Sequence, residues 1–247
     1  MGSAGLLTPN LTTGSRFAGP EDAKVYELGI KADWRIVSAN LMVFKQIITG
    51  FQSNTFTGTC FALANAGKQS TFGIEFDGTA RPTDNLTFTL AMVYLDPKYD
   101  SFVNSALGDA SGLSPAGIPG ISATFGAQWA KKFANGDRVI LRGDYHYESQ
   151  VQVIEGLPGF IQRNALGQVV SYRPAFDAAR PFTREVSDLN ASLTYAMDNG
   201  FELSVWGRNL LDNRYLLSAF DSVAQSGSIS GYTNQPRTYG VSARFKW

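Results

Sequence analysis

The sequence predicts an all-β protein, an antiparallel up-and-down meander of about nine long strands that forms part of a barrel wall and stays a curved open sheet when taken alone. Three observations carry this. Apolar and polar residues alternate with period two nearly throughout, as side chains do along a strand. The connections alternate between short and long. Charged residues make up 17% of the 247 positions, below the roughly 25% of soluble domains, while aromatics reach 13% and glycine 25 residues. No apolar run approaches the roughly 18 residues that a membrane helix requires.

The strands follow in order. "VYELGIKADW" sets Tyr26, Leu28, Ile30, Ala32 and Trp34 against Glu27, Gly29, Lys31 and Asp33, and "IVSANLMVFKQ" sets Val37, Ala39, Leu41 and Val43 against Ser38, Asn40, Met42 and Phe44. "TFGIEFDGT" gives Phe72, Ile74 and Phe76 one face, and "LTFTLAMVYL" gives Leu86, Phe88, Leu90, Met92 and Tyr94 one face. In "ISATFGAQWA" the apolar set is Ile121, Ala123, Phe125, Ala127 and Trp129; in "RVILRGDYHY" it is Val139, Leu141, Gly143, Tyr145 and Tyr147. "DLNASLTYAM" and "FELSVWGRN" place Leu189, Ala191, Leu193, Tyr195, Phe201, Leu203 and Val205 together. The terminal "TYGVSARFKW" closes with Tyr239, Val241, Ala243, Phe245 and Trp247 on one face.

The chain turns almost at once after Trp34, and "RPTDN" (81–85), "FANGD" (133–137) and "DNG" (198–200) are tight turns of Pro, Asn, Asp and Gly. The segments near 49–68, 100–117, 151–183 and 214–235 are long loops. All the long loops therefore fall at one end of the meander. Residues 1–20 read as a loop-like or disordered N-terminal segment without the basic and apolar regions of a signal peptide. Residues 21–247 read as one domain.

A soluble sandwich would bury the apolar face under a second sheet; an outer-membrane barrel would turn it to lipid. Strands of about 9–13 residues fit a tilted membrane crossing better than a sandwich strand. Trp34, Trp129, Phe201 and Trp247 gather near the short-turn end, and Tyr26, Tyr94, Tyr145 and Tyr147 near the long-loop end. Two such girdles mark the two interfaces of a membrane. The expected partner of the apolar face is outer-membrane lipid, with Arg142, Gln128, Asn190 and Glu202 on the concave side.

Lys and Arg together number 21, as do Asp and Glu, so no net charge favours nucleic acid. Cys60 and His146 are each the only residue of their type. A cysteine cluster and a multi-histidine metal site are excluded, and no nucleophile is spaced to use His146 as a base. The sequence points to no catalysis, no cofactor and no metal. Candidates for ligand contact are the loop aromatics Phe102, Tyr172, Phe176, Phe220 and Tyr232, with Phe160 beside them, and the inward arginines Arg142 and Arg208. Loop packing is the alternative for the aromatics. For Arg142, Arg208 and Arg244, pairing with the inward carboxylates Glu27, Asp33, Glu75, Asp144 and Glu202 is expected.

"WGRNLLDNRY" supplies Gly207, Asn209, Leu210, Asp212 and Tyr215 in the order G-x-N-L-x-D-x-x-Y; Pro236-Arg237 opens the last strand; "NAGKQSTFGIE" supplies Asn65, Gly67, Gly73 and Glu75 ahead of "RPTDNLTF". With "YELGIKADW", these resemble the C-terminal part of a TonB-dependent outer-membrane receptor. The resemblance covers about residues 20–247. It implies residence in the outer membrane of a Gram-negative bacterium and import of a scarce nutrient, often an iron–siderophore complex. It also implies parts not present here: a plug domain, contact with TonB through that plug, and the N-terminal strands of a barrel of about 22. A final aromatic, here Trp247, resembles the signal read by the outer-membrane assembly machinery. The alternative is a self-contained small barrel serving as a passive pore or structural protein.

Overall fold

The computed structural model describes residues 19–56, 61–65, 67–222, 225 and 227–246. Cys60, Trp247 and most of the 1–20 segment lie outside the described residues. The chain begins with β1 (Asp22–Asp33) and β2 (Val37–Thr49), then a short hairpin of β3 (Gln52–Phe56) and β4 (Phe61–Asn65). Four long strands follow: β5 (Lys68–Thr83), β6 (Leu86–Ser101), β7 (Ile121–Lys132) and β8 (Arg138–Gln152). A long excursion holds a 3-10 turn (Pro158–Phe160), β9 (Gln162–Arg163), β10 (Val169–Ser171) and α1 (Arg173–Ala179). The chain returns through β11 (Thr183–Ala196) and β12 (Phe201–Arg208), makes the hairpin β13 (Leu216–Asp221) and β14 (Ile229–Thr233), and ends on β15 (Thr238–Phe245).

The nine long strands form one antiparallel sheet in chain order, β1-β2-β5-β6-β7-β8-β11-β12-β15. The meander of about nine strands is therefore present. β1 and β15 are its two edges and do not pair with each other. The tight turns fall where Pro, Asn, Asp and Gly cluster: Trp34 N–H donates to Val37 O at 2.8 Å and Met197 N–H to Phe201 O at 2.8 Å. Gly136 and Gly200 each hold φ of 89° in these turns, a conformation that costs other residues steric strain.

Register binds the alternating residues into continuous faces. Ile30, Leu41, Phe76, Met92 and Ala123 are successive cross-strand partners. So are Trp129, Leu141, Leu193, Val205 and Val241. A shift of one residue in any strand would break the row, because the side-chain period is two. Among the described residues no second sheet covers this face: Leu28 is 80% exposed, Leu141 51% and Val241 68%. The sandwich reading fails there, since a sandwich buries such residues. Phe88 and Phe125 stack on this face at 5.9 Å between centroids.

The opposite face carries Gln128, Arg142, Ser192, Trp206 and Gly240 as one row of partners. Its bulky members need space beneath them. Phe44 lies over Gly73, where a Cβ would meet the ring at 2.2 Å. That steric demand accounts for the glycine before Glu75.

The loops depart from the expected irregular segments. Three of them carry hairpins of their own, and one carries a two-turn helix. Strands β5 and β6 run 16 residues each and β8 runs 15, past the length of a membrane crossing, so that the loops are raised on strand extensions. The buried apolar residues, Phe51, Tyr99, Phe102, Leu107 and Leu157 among them, gather at the loop end. The small hydrophobic core of this chain is thus a loop core.

Candidate functional site

The polar face is a ladder of cross-strand hydrogen bonds. Asn40 Nδ2 donates to Asp77 Oδ2 at 2.7 Å, Asn190 Nδ2 donates to Asp144 Oδ2 at 2.9 Å, and Thr194 and Ser204 share a bond of 2.7 Å. His146 belongs to the ladder: Nδ1 lies 2.9 Å from Thr124 Oγ1 and Nε2 lies 3.5 Å from Glu148 Oε1. Among the described residues no group of three His, Cys, Asp or Glu side chains is arranged to hold a metal ion.

Arginine pairing differs from expectation. Arg142, Arg208 and Arg244 form no ion pair among the described residues. Two of their five expected partners are engaged elsewhere: Asp144 with Asn190, and Glu202 with Lys246 Nζ at 2.8 Å. Arg244 stands opposite Glu202 in register, but the nearer ammonium takes the direct bond. Arg208 instead lies over the Trp206 ring, 5.4 Å from its centroid. The least exposed pair among the described residues is one that sequence reasoning missed, Arg184 with Glu148 at 3.1 Å, with side chains 15% and 19% exposed. Arg184 Nη2 also donates to Gly117 O at 3.1 Å, tying the 101–120 loop to the wall. Its alternation signal is scrambled by a bulge between Arg184 and Val186.

The loop aromatics divide. Phe102 is 1% exposed, packed edge-on against Phe51 at 5.4 Å and Tyr99 at 5.1 Å. It is a packing residue, because three rings from two chain segments collapse into one cluster. Tyr99 Oη donates to Glu155 Oε1 at 2.6 Å, which joins the 151–183 excursion to the cluster. Tyr172 covers Gly108, where a Cβ would meet its ring at 2.7 Å. Phe220 and Tyr232 face one another across the β13–β14 hairpin at 5.6 Å, with Tyr232 66% exposed. Phe160 is half-buried.

Phe176 lines a cavity of about 780 Å³ between the top of β6, the 109–120 segment, the end of β8 and α1. Leu113, Pro115 and Ile118 supply its apolar wall, and Asp96, Asp109, Glu155, Arg173 and Arg180 its charge. Arg173 Nε bonds Asp177 at 2.9 Å, and Arg180 approaches the same carboxylate at 3.4 Å. The (i, i+4) spacing of Arg173 and Asp177 in "RPAFDAAR" was the available signal for this helix. Neighbouring loops are tied by Asp221, whose Oδ2 accepts the Gly159 N–H at 2.7 Å. Burial raises the Asp221 carboxyl above its usual range, and the Gly159 bond offsets part of that rise.

The "WGRNLLDNRY" segment is a structural weld. Asn209 and Asp212 take positive φ, 47° and 51°. Asn209 is 5% exposed, and its N–H donates to Asn190 Oδ1 at 3.0 Å. Its carboxamide reaches Asn213 O at 2.9 Å and Gln235 O at 3.1 Å. Asparagine suits the site because it tolerates the left-handed region and presents both donors and an acceptor. The Arg237 N–H and the Arg214 side chain hold the Asp212 carboxyl below its usual range.

A family model described as "TonB dependent receptor-like, beta-barrel" matches residues 2–210. Solved structures of the same architecture include the ferric yersiniabactin uptake receptor FyuA from Yersinia pestis, 18% identical with a TM-score of 0.66 over 91% of this chain and 30% of that one. The siderophore receptor PiuA from Acinetobacter baumannii is 16% identical, with a TM-score of 0.62 over 92% of this chain and 29% of its own. The copper transporter OprC is 14% identical, with a TM-score of 0.64 over 95% of this chain and 33% of its own. The chain thus spans about 30% of the length of the solved structures it matches.

Proposed function

We propose, because the chain belongs to the family of TonB-dependent receptor-like β-barrels, that it forms part of the wall and loop layer of a receptor importing a scarce nutrient, foremost an iron–siderophore complex. It resides in the outer membrane of a Gram-negative bacterium. The observation that carries the proposal is the register itself. Nine strands carry two apolar register rows that meet on β7, with no covering sheet among the described residues, and polar residues on the other face, the two-solvent pattern of a membrane barrel.

In this reading the ligand is met by Tyr172, Phe176, Phe220 and Tyr232 in the loops and by Arg142 and Arg208 on the wall. The 780 Å³ cavity beside Phe176 has a size suited to a small-molecule ligand. Phe102 supports the loops from within. Further strands and a plug complete the barrel, TonB acts through that plug, and the assembly machinery reads the strand that ends in Trp247.

The test is uptake in cells that lack their own ferric-siderophore receptors. Expression of the gene that encodes this chain should restore iron uptake only where TonB is intact. Uptake that persists without TonB would favour the passive-pore alternative, and absence of uptake for any ferric siderophore would remove iron as the cargo.

A further inference from the structure

The polar face ends, at its short-turn side, in a strip of cations. There the register aligns Lys132, Arg138, Ala196, Glu202 and Arg244 across β7, β8, β11, β12 and β15. Lys246 joins the strip through its Nζ, which donates to Glu202 Oε1 at 2.8 Å. The charges of Arg244 and Arg138 act on the same carboxylate, so three cations converge on one anion. Lys132 and Arg138 stand directly opposite each other, a like-charge pairing that costs a sheet stability. Lys132, Arg138 and Arg244 are exposed, and among the described residues none of the three has an ion pair. The next row inward, from Ala130 to Ser242, is neutral and supplies no counter-charge. At the turns, Asp137 is taken up by the Tyr195 hydroxyl and Asp198 lies against Gly136. Neither forms an ion pair with the strip among the described residues.

We propose that this strip is a docking surface for an acidic, extended polypeptide segment that reaches the concave side from the short-turn end. Charge complementarity sets the sign of the partner: four cations face one carboxylate, and that carboxylate is already bonded. A segment bearing carboxylates relieves the repulsion between Lys132 and Arg138. The face sets the class of the partner. The strip lies behind the side on which Leu141 and Leu203 are exposed, so lipid headgroups meet other residues. The span sets its length: five strands at about 4.8 Å spacing cover roughly 19 Å, the reach of about six extended residues. The proposal rests on the barrel-wall reading for the side from which the segment arrives.

The test is fluorescence polarisation of labelled hexaglutamate against the full chain in nanodiscs of zwitterionic lipid, which leave both ends of the sheet open to solvent. Saturable binding is expected, and it should fall as salt rises, because exposed charges are screened. Arg138→Gln and Arg244→Gln should each weaken it about threefold, and the two together about tenfold. Glu202→Gln should tighten it, since that change frees Lys246 and removes the competing carboxylate. A role confined to holding the sheet together would not have that sign. Lys132→Gln should weaken binding while leaving the bare chain at least as stable to heat, because a like-charge pair is removed. Lys98→Gln, at the loop end, should leave binding unchanged. Circular dichroism of each variant confirms that the sheet is retained. No saturable binding, equal binding by the double variant, or weaker binding by Glu202→Gln overturns the proposal. Loss of peptide binding when anionic phospholipid enters the discs assigns the strip to headgroups and overturns it as well. TonB-dependent uptake is scored separately: saturable binding without uptake keeps the strip and removes the uptake reading, and uptake without binding does the converse.

Discussion

Asn209 and Asn213 exchange two hydrogen bonds of 2.9 Å, carboxamide to carbonyl in one direction and backbone N–H to carboxamide in the other. Asn213 in turn accepts from Asn234 Nδ2 at 2.8 Å and its own side chain accepts the Ser187 N–H at 3.1 Å. Three chain segments are thereby locked where β12 ends and the path to β15 begins. Asn209→Ala should cost about 3 kcal/mol, from buried groups left unpaired and a left-handed alanine. Asn209→Gly, which removes only the second penalty, should cost less. Urea unfolding in vesicles gives both values, and equal losses would show that backbone strain contributes nothing.

Leu203 and Glu202 are adjacent in sequence and opposite in solvent. Leu203 is exposed on the apolar face, while Glu202 holds Lys246 on the other. Arginine at Leu203 or Leu141 should destabilise the membrane-embedded protein by about 2–4 kcal/mol near the midplane. The same change at Ser192, on the polar row, should be close to neutral. Comparable costs at both kinds of position would contradict the assignment of faces.

Asp137 joins two neighbouring short turns. Its carboxylate accepts from the Tyr195 hydroxyl and, at 3.0 Å, from the Asp198 N–H. Those bonds, Tyr195 first, hold its carboxyl below the usual range. A depressed folded-state value means that the stabilisation is present above the unfolded value of about 3.9 and is lost as pH falls through the folded one. Wild-type protein should therefore lose turn stability below about pH 4, and Asp137→Asn should flatten that dependence. Hydrogen exchange at the Asp198 amide between pH 2 and 5 provides the measure.

Asp221 has the opposite sign. Burial raises its carboxyl, so its contribution is full below the unfolded value and declines as pH rises through the folded one. Asp221→Asn keeps an oxygen acceptor for Gly159 and removes the charge. It should leave the tie between the 151–163 segment and the β13–β14 hairpin at least as protected from protease at pH 7 as in the wild type. Faster cleavage of the variant at pH 7 would show that the ionised carboxylate is the better partner.

The sequence by itself determined the strands, their faces and the tight turns. These are local: period two and a Pro, Asn, Asp or Gly signal are written within ten residues, and each strand's apolar set proved to be the register partner of the next. The family was legible for the same reason, since Gly73, Asn209 and Asp212 meet steric and dihedral demands fixed by their own segment and its neighbour. Tertiary structure alone decided which charges pair. Arg142, Arg208 and Arg244 each stand near carboxylates in pattern, yet Asn190 and Lys246 reach those carboxylates first, at distances that no spacing rule encodes. It also decided that Phe102 lies within the loop core with Phe51 and Tyr99, while Tyr232 remains outside. Ring clusters join segments whose approach is set by strand extensions and loop hairpins, and a composition of Gly, Ser and Pro leaves that approach open until the whole sheet has formed.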